Sequence, residues 1–177
     1  MKLVILDRDG VINHDSEQYI KSPEEWKPIA GSLEAIARFT QAGYQVVVAT
    51  NQSGLGRGLF DMSALNAMHD KMHKAVNQLG GRIDAVFFCP HAQDAGCTCR
   101  KPQPGMLLEI GERFNVALTG VPAIGDSLRD LQAASAAGAR PILVLTGKGK
   151  QTLEAGGLPE GTEIHEDLAA AAMAITA

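Results

Sequence analysis

Two aspartates separated by one residue follow the first apolar segment of the chain. Asp7 and Asp9 come directly after Val4-Ile5-Leu6. If that segment is a buried strand, its period of two directs both carboxylates to the same face. Carboxylates so close together repel each other unless a cation lies between them, and Mg²⁺ with oxygen ligands meets that need. The pair therefore indicates a magnesium site, although a lone pair of this kind also occurs in acidic surface loops.

Three more polar clusters occur later in the chain. Thr50-Asn51-Gln52-Ser53 and Gly125-Asp126-Ser127 each follow an apolar segment, and Arg100-Lys101-Pro102 precedes a helical one. We predict that Asp7, Asp9 and Asp126 hold the Mg²⁺, with a backbone carbonyl of the first loop among the ligands. Asp126 is also expected to cap the helix that follows it.

The same residues suit phosphoryl transfer. An ionised Asp7 can attack a phosphorus atom and form an aspartyl-phosphate. Asp9 is placed to protonate the leaving alkoxide, and we expect its pKa to be raised for that purpose. Thr50 and the amides of Asn51 and Gln52 can donate hydrogen bonds to the transferring phosphoryl oxygens.

Two further residues complete this chemistry. Lys101 supplies a fixed positive charge against the transition state. Asp130 is predicted to orient Lys101 or a water molecule on the metal. Taken singly, these residues also have non-catalytic interpretations. Thr50 could cap a strand end, and Lys101 could be a solvated surface charge.

Alternating strand and helix patterns position these residues. Apolar segments predict strands at residues 3–6, 45–50, 83–89, 121–125 and 141–145, and helical periodicity predicts helices at residues 31–42, 65–79, 104–114, 128–137 and 167–177. Met68 and Met72 fall on the apolar face of a helix and are expected in the core. The alternation indicates an α/β fold, with a Rossmann-like parallel sheet covered by helices on both faces. In such sheets ligands bind at the carboxyl ends of the strands, where most of the polar clusters fall.

Composition is that of an ordinary globular protein. The chain has 177 residues, of which 45% are hydrophobic and 20% charged, with a net charge of -4. No apolar run approaches the roughly 18 residues of a membrane span, and the first apolar stretch is too short for a secretory signal. We therefore expect a single domain over residues 1–177, a cytoplasmic monomer that binds neither nucleic acid nor a membrane.

The three cysteines of the chain form a second candidate metal site. Cys89 and His91 are followed by Cys97 and Cys99, directly before Arg100. Three thiolates and one imidazole make a complete tetrahedral zinc set, closed to water and therefore structural. Zinc would order a loop at residues 89–99 that has little apolar content, and would thereby position Arg100 and Lys101. The alternative is a buried strand-end cysteine followed by an incidental Cys-x-Cys.

The ordered motifs Asp-Arg-Asp-Gly, Ala-Thr-Asn-Gln-Ser-Gly, Arg-Lys-Pro and Gly-Asp-Ser-Leu-Arg-Asp resemble the four motifs of the haloacid dehalogenase-like phosphohydrolases. The resemblance covers residues 3 to about 147. It implies that Asp7 is the nucleophile and Asp9 the general acid and base. It further implies that Thr50 binds phosphate, Lys101 stabilises charge and Asp126 binds Mg²⁺.

The zinc motif resembles one branch of this family, which includes phosphatases for a heptose bisphosphate and for histidinol phosphate. The resemblance implies that a large cap domain is absent and that a phosphorylated sugar is the substrate. It also implies that Asp15, Tyr19 and Arg100 contact the sugar or its second phosphate, and that Asn51, Gln52, Ser53 and Lys101 bind the reacting one. The sequence departs from the branch at Ser127, where relatives often carry a cation, and Arg129 or Arg57 could replace it.

Two alternatives stay open at this stage. Histidinol phosphate carries an ammonium group, which Asp15 and Glu17 could bind. Receiver domains also accept phosphate on an aspartate beside a threonine and a lysine, but they lack a proton donor two residues after the acceptor, as Asp9 is here.

Overall fold

A parallel sheet forms the centre of the molecule. The computed structural model describes residues 2–177. Over that range the strands are β1 (Lys2–Leu6), β2 (Tyr44–Asn51), β3 (Ala85–Cys89), β4 (Pro122–Gly125), β5 (Arg140–Val144) and β6 (Glu163–His165). They lie in the order β3-β2-β1-β4-β5-β6, and every pairing is parallel. The predicted α/β class is confirmed.

Helices connect the strands. They are α1 (Ser32–Gln41), α2 (Ser53–Gly56), α3 (Met62–Gln78), α4 (Gly105–Phe114), α5 (Leu128–Ala136), α6 (Gly149–Ala155) and α7 (Leu168–Thr176). Sequence reasoning missed α2, α6 and β6. The two helices have four and seven residues, and β6 has three. Segments this short do not establish a helical or strand periodicity.

Side chains of β1 show that both faces of the sheet are covered. Val4 and Leu6 belong to a buried cluster on one face, together with residues of α1, α3 and α7. Leu3 and Ile5 point the other way, into a cluster with residues of α4 and α5. Because adjacent strand residues alternate between faces, β1 must be apolar throughout to be buried on both. Met68 and Met72 are fully buried, as expected.

A long loop leads from β1 to α1 and is fastened to α3. The Lys71 Nζ donates hydrogen bonds to the carbonyl oxygens of Pro23 and Trp26, both at 2.7 Å. Trp26 itself is completely buried. The loop is therefore held against the body of the molecule beside the carboxyl end of β1.

Among residues 2–177, none of the helices combines the length and the hydropathy that a membrane-spanning segment requires.

Candidate active site

Three carboxylates converge where β1 and β4 end. One oxygen of each of Asp7, Asp126 and Asp130 lies within 4.8 Å of the others. Asp7 directly follows β1, and its amide donates to the Ile124 carbonyl of β4 at 2.9 Å. The strand pairing therefore brings together residues that are more than a hundred positions apart.

The electrostatics of this group fit a divalent cation. Burial and the nearby charge of Asp130 raise the pKa of Asp7 well above its usual range. The same two causes raise the pKa of Asp126 to about 7. Both shifts reflect burial and crowded negative charge, which Lys101 reduces at Asp7 without cancelling, and a bound divalent cation would act against them. Oxygen ligands in this number suit Mg²⁺.

Asp130 already has its partners. Its Oδ1 accepts a hydrogen bond from the Lys101 Nζ at 3.0 Å, and its Oδ2 accepts from the amides of Asp126 and Ser127 and from the Ser127 hydroxyl. Although burial opposes ionisation, Lys101 holds the pKa of Asp130 below its usual value. We therefore assign Asp130 to Lys101 rather than to the metal.

The same contacts correct the expected role of Asp126 as a helix cap. Ser127 is the N-cap of α5 and forms a capping box with Asp130. The Ser127 hydroxyl and the Asp130 carboxylate satisfy the free amides at the start of the helix. Asp126 lies one residue earlier, and its Oδ2 instead accepts from the Lys148 amide at 2.9 Å.

Lys101 is buried among the acidic groups. Its Nζ donates to the Ala49 carbonyl at 2.6 Å and lies 3.6 Å from the Asp7 Oδ1. The Asn51 side chain fixes the backbone here, since its Oδ1 accepts from the Lys101 amide and its Nδ2 donates to the Lys101 carbonyl. Burial acts to lower the pKa of Lys101, but Asp130 and Asp7 outweigh it and raise that pKa. Lys101 is therefore a permanent cation beside Asp7.

A cleft at the carboxyl ends of the strands is lined by Asp7, Asp9, Thr50, Arg100, Asp126 and neighbouring residues. Asp9 has an environment there that differs from the expected one. The Arg8 Nε donates to its Oδ1 at 2.8 Å, and the Asn13 Nδ2 donates to the same oxygen at 3.0 Å. Burial acts to raise the pKa of Asp9, but the charge and hydrogen bonds of Arg8 outweigh it, and the pKa is lowered. The expectation of a raised pKa is wrong for this state, because the buried Arg8 was not foreseen as a partner.

The segment that follows β2 forms the next wall of the cleft. Thr50 is buried, and its hydroxyl accepts a hydrogen bond from the Gln52 Nε2 at 2.9 Å. The Gln52 amide donates to the Cys89 carbonyl at 2.8 Å. This backbone amide was expected to bind phosphate, and its bond to β3 makes it unavailable. The Gln52 side chain and Ser53 also line the cleft.

The cleft also contains the other predicted contact residues, which are Asp15, Tyr19, Asn51 and Arg100. The Tyr19 hydroxyl accepts from the Gln93 Nε2 at 3.2 Å. Arg129 lines the cleft and is close enough to Arg100 for the two charges to interact. Arg57 binds Gln93 through two nitrogens, at 2.9 Å and 2.7 Å. Of the two arginines expected to replace the cation absent at Ser127, Arg129 lines the cleft and Arg57 is bound to Gln93.

Lys148 is a site residue that sequence reasoning missed. Besides its amide bond to Asp126, its Nζ lies 3.5 Å from the Asp15 Oδ2, and its side chain lines the cleft. It belongs to Thr146-Gly147-Lys148-Gly149, just after β5. The position of this segment at a strand end was the signal that could have identified it.

The four predicted zinc ligands are brought together. Suitable atoms of Cys89, His91, Cys97 and Cys99 all lie within 4.8 Å of one another. The His91 Nδ1 is 3.3 Å from the sulfurs of both Cys89 and Cys99. Burial and the neighbouring sulfurs raise the pKa of Cys99 to about 12, as expected where several thiols compete to ionise. A complete set of three sulfurs and one nitrogen fits zinc.

Comparisons with known proteins agree with this geometry. Residues 2–126 match the family described as polynucleotide kinase 3 phosphatase, and residues 98–171 match the family described as HAD-hydrolase-like. The chain is 64% identical over 172 residues to D-glycero-beta-D-manno-heptose-1,7-bisphosphate 7-phosphatase of Bordetella bronchiseptica, covering 97% of this chain and 96% of that protein. It is 55% identical over 172 residues to the protein of the same name from Pseudomonas putida, covering 97% and 98%.

Solved structures give the same picture. One match is the crystal structure of D,D-heptose 1,7-bisphosphate phosphatase from B. bronchiseptica, complexed with magnesium and phosphate. The TM-score is 0.98 and the sequence identity 63%, and the match covers 99% of this chain and 98% of that one. The D,D-heptose 1,7-bisphosphate phosphatase from Burkholderia thailandensis matches with a TM-score of 0.80 and 59% identity, covering 99% and 98%.

Proposed function

Because the chain belongs to the haloacid dehalogenase-like hydrolases, and among them to the D-glycero-beta-D-manno-heptose-1,7-bisphosphate 7-phosphatases, we propose that it removes the 7-phosphate of that heptose bisphosphate in a reaction that requires Mg²⁺. The observation that carries this proposal is the position of Asp7. Its carboxylate, the proposed nucleophile, lies 3.6 Å from the permanent cation Lys101 and beside the Asp126 carboxylate, which has no side-chain cation as partner among the described residues.

The reaction proceeds in two displacements. A carboxylate oxygen of Asp7 attacks the phosphorus while the bond to the sugar oxygen breaks, and the carboxyl group of Asp9 gives its proton to the departing alkoxide. A water molecule then attacks the aspartyl-phosphate and returns a proton to Asp9, which releases inorganic phosphate and restores Asp7. An anionic phosphoryl group beside Asp9 would raise its pKa and so favour the protonated form needed in the first step.

Other residues stabilise the charge that moves. We assign stabilisation of the phosphoryl oxygens to the ammonium group of Lys101, which lies 3.6 Å from the Asp7 Oδ1, and their binding also to Thr50, which lines the cleft. We assign Mg²⁺ binding to the side chains of Asp7 and Asp126, with the Asp9 backbone carbonyl as a further ligand. When bound, the metal would neutralise phosphoryl charge and offset the repulsion between the carboxylates.

Arg100 and Arg129 suit the phosphate that is not cleaved. Burial and the charge of Arg129 lower the pKa of Arg100, so these two cations are close and partly withdrawn from water. The Arg100 Nη1 is buried and has no hydrogen-bond partner among residues 2–177. A buried donor without an acceptor is costly, and a phosphate oxygen would satisfy it. We place Asp15 and Tyr19 against the sugar hydroxyls.

The alternatives are less well supported. Histidinol phosphate would bring an ammonium group toward Arg100, Arg129 and Lys148, and the close relatives described above are heptose bisphosphate phosphatases. Receiver domains have the strand order 2-1-3-4-5. The order found here has β1 between β2 and β4 and excludes that fold.

We further propose that residues 1–177 act as a single domain, because the residues assigned to catalysis and to the second phosphate line one cleft at the edge of a single sheet. The monomeric state stays a prediction. A cytoplasmic location is supported by the zinc site, since metal binding requires cysteines that stay reduced.

The test is a comparison of kcat/KM on D-glycero-beta-D-manno-heptose 1,7-bisphosphate and on histidinol phosphate, both with Mg²⁺. We expect the heptose bisphosphate to be preferred by at least about a hundredfold, or about 2.7 kcal/mol. Equal values, or a preference for histidinol phosphate, would reject the proposed substrate while leaving the phosphatase chemistry intact.

A further inference from the structure

Arg8 is a completely buried arginine placed between the two catalytic aspartates in sequence. Its guanidinium group binds both carboxylate oxygens of Asp9. The Nε donates to Oδ1 at 2.8 Å, and the Nη2 donates to Oδ2 at 3.3 Å. Arg8 does not line the cleft, whereas Asp9 does. Arg8 therefore lies behind Asp9 and can set the direction of its carboxylate without contacting a substrate.

The third nitrogen of this guanidinium group reaches a different element. The Arg8 Nη1 lies 3.2 Å from the Nε2 of His69, which is a buried residue on α3. Arginine has only donors, so the Nε2 must be the acceptor and the ring proton must be on Nδ1. Burial and the charge of Arg8 lower the pKa of His69 to about 4, which keeps the ring neutral and the acceptor available.

We propose that His69 is a positioning residue for the general acid: it fixes the Arg8 guanidinium plane from α3, and Arg8 in turn aims Asp9 at the leaving oxygen. Asp9 itself is held by Arg8 and Asn13 of its own loop and by the Gln52 side chain, which follows β2. For Arg8, His69 supplies an anchor outside the loop that carries Asp9. Without His69, the Arg8 Nη1 would be a buried donor without an acceptor. This cost would favour a different orientation of the guanidinium group, away from Asp9.

The inference rests on the proposed two-step phosphatase chemistry, and it does not depend on which sugar is bound. In the first displacement the bond between phosphorus and the leaving oxygen breaks, and the proton of Asp9 goes to that oxygen. An alkyl alkoxide needs this proton, whereas p-nitrophenolate is stable enough to leave without it. A misaligned Asp9 therefore slows the cleavage of an alkyl ester and spares that of the aryl ester.

The experiment measures kcat/KM, which reports the steps up to alcohol release, for the heptose bisphosphate and for p-nitrophenyl phosphate. His69→Leu should lower the first value about tenfold or more and change the second by less than about twofold. His69→Gln, whose amide oxygen can take the place of Nε2, should recover most of the loss. His69→Asn is too short to reach Arg8 and should behave as His69→Leu does. His73→Leu, one turn further along α3, is the matched control and should change neither value.

Circular dichroism and thermal unfolding establish that each variant is folded. If His69→Leu does not fold, the comparison between the two polar variants, Gln and Asn, decides the matter. Equal losses on both esters, or Gln performing no better than Asn, would refute the positioning role. If the wild type hydrolyses another alkyl phosphate better than the heptose bisphosphate, the same comparison is made on that ester. A wild type without any phosphatase activity would instead refute the proposed function.

Discussion

At the residue scale, some carboxylates of this site are paired with a cation and others are not. Arg8 holds Asp9, and Lys101 holds Asp130. Asp7 and Asp126 remain with more negative charge than their neighbours balance, and the pKa of each is raised as a result. The protein thus pairs the general acid, Asp9, and the positioning residue, Asp130, with cations. It leaves unbalanced the two that we assign to the metal.

Replacing Asp7 tests the nucleophile. Asp7→Asn keeps the size of the side chain but removes the attacking oxygen and a metal ligand, so activity should fall at least about a thousandfold, or about 4 kcal/mol of transition-state stabilisation. Steady-state rates with Mg²⁺ measure this. Asp70→Asn, at an exposed position of α3, is the control and should keep full activity. A folded Asp7→Asn protein with a tenth of the wild-type rate would contradict the covalent mechanism.

Replacing Arg100 tests the site for the second phosphate. Arg100→Ala should raise KM for the heptose bisphosphate more than for a heptose monophosphate. The difference should correspond to about 1.5–3 kcal/mol of binding free energy, since a hydrogen bond between charged groups is lost. Arg113→Ala, at an exposed position of α4 outside the cleft, is the control and should change neither KM. Equal losses on both substrates would mean that Arg100 serves the reacting phosphoryl group alone.

At the level of elements, the strand ends and the loop that carries Lys101 must be held in register. Asn51 at the end of β2 bonds both backbone groups of Lys101, and Lys101 bonds Asp130 on α5. Glycines allow the closest approaches. A Cβ at Gly10, which has a φ of +86°, would lie 2.0 Å from the Asp126 Oδ2, so no other residue fits there without displacing that ligand.

The ion pair between Lys101 and Asp130 joins the segment that follows the zinc loop to α5. Its removal should affect stability as well as rate. Lys101→Met leaves the Asp130 carboxylate buried without its cation, so the free energy of unfolding should fall by about 3–5 kcal/mol. Adding Asp130→Asn should recover part of that loss without restoring activity. Urea denaturation measures both variants. A Lys101→Met protein as stable as the wild type would show that the ion pair is not needed for folding.

The cysteine loop should carry zinc. Protein purified without added metal should contain about one zinc per chain by elemental analysis, because structural sites of this kind bind with about 10–16 kcal/mol. Cys97→Ser should release the metal and lower activity through the displacement of Arg100 and Lys101. Thr98→Ser, between two of the ligands, is the matched control. Zinc-free protein with three reactive thiols and full activity would overturn the assignment.

At the level of the whole molecule, the fold was largely predictable and the polar contacts less so. Five strands were identified as continuous apolar segments, since they are buried on both faces, and five helices were identified by their helical periodicity. Local sequence did not reveal that Arg8 would pair with Asp9, since the geometry depends on His69, which is 61 residues away. The engagement of the Gln52 amide was missed because its bond to the Cys89 carbonyl requires β2 and β3 to be neighbours. Lys148 was missed although its place just after β5 was a signal in the sequence.

The most direct test of the account is ³¹P NMR of D-glycero-beta-D-manno-heptose 1,7-bisphosphate incubated with the protein and Mg²⁺. We predict that the signal of the 7-phosphate disappears as inorganic phosphate appears, while the 1-phosphate signal persists. The Asp7→Asn protein should leave both signals unchanged. Loss of the 1-phosphate, or a spectrum that stays constant with folded wild-type protein, would contradict the central claim.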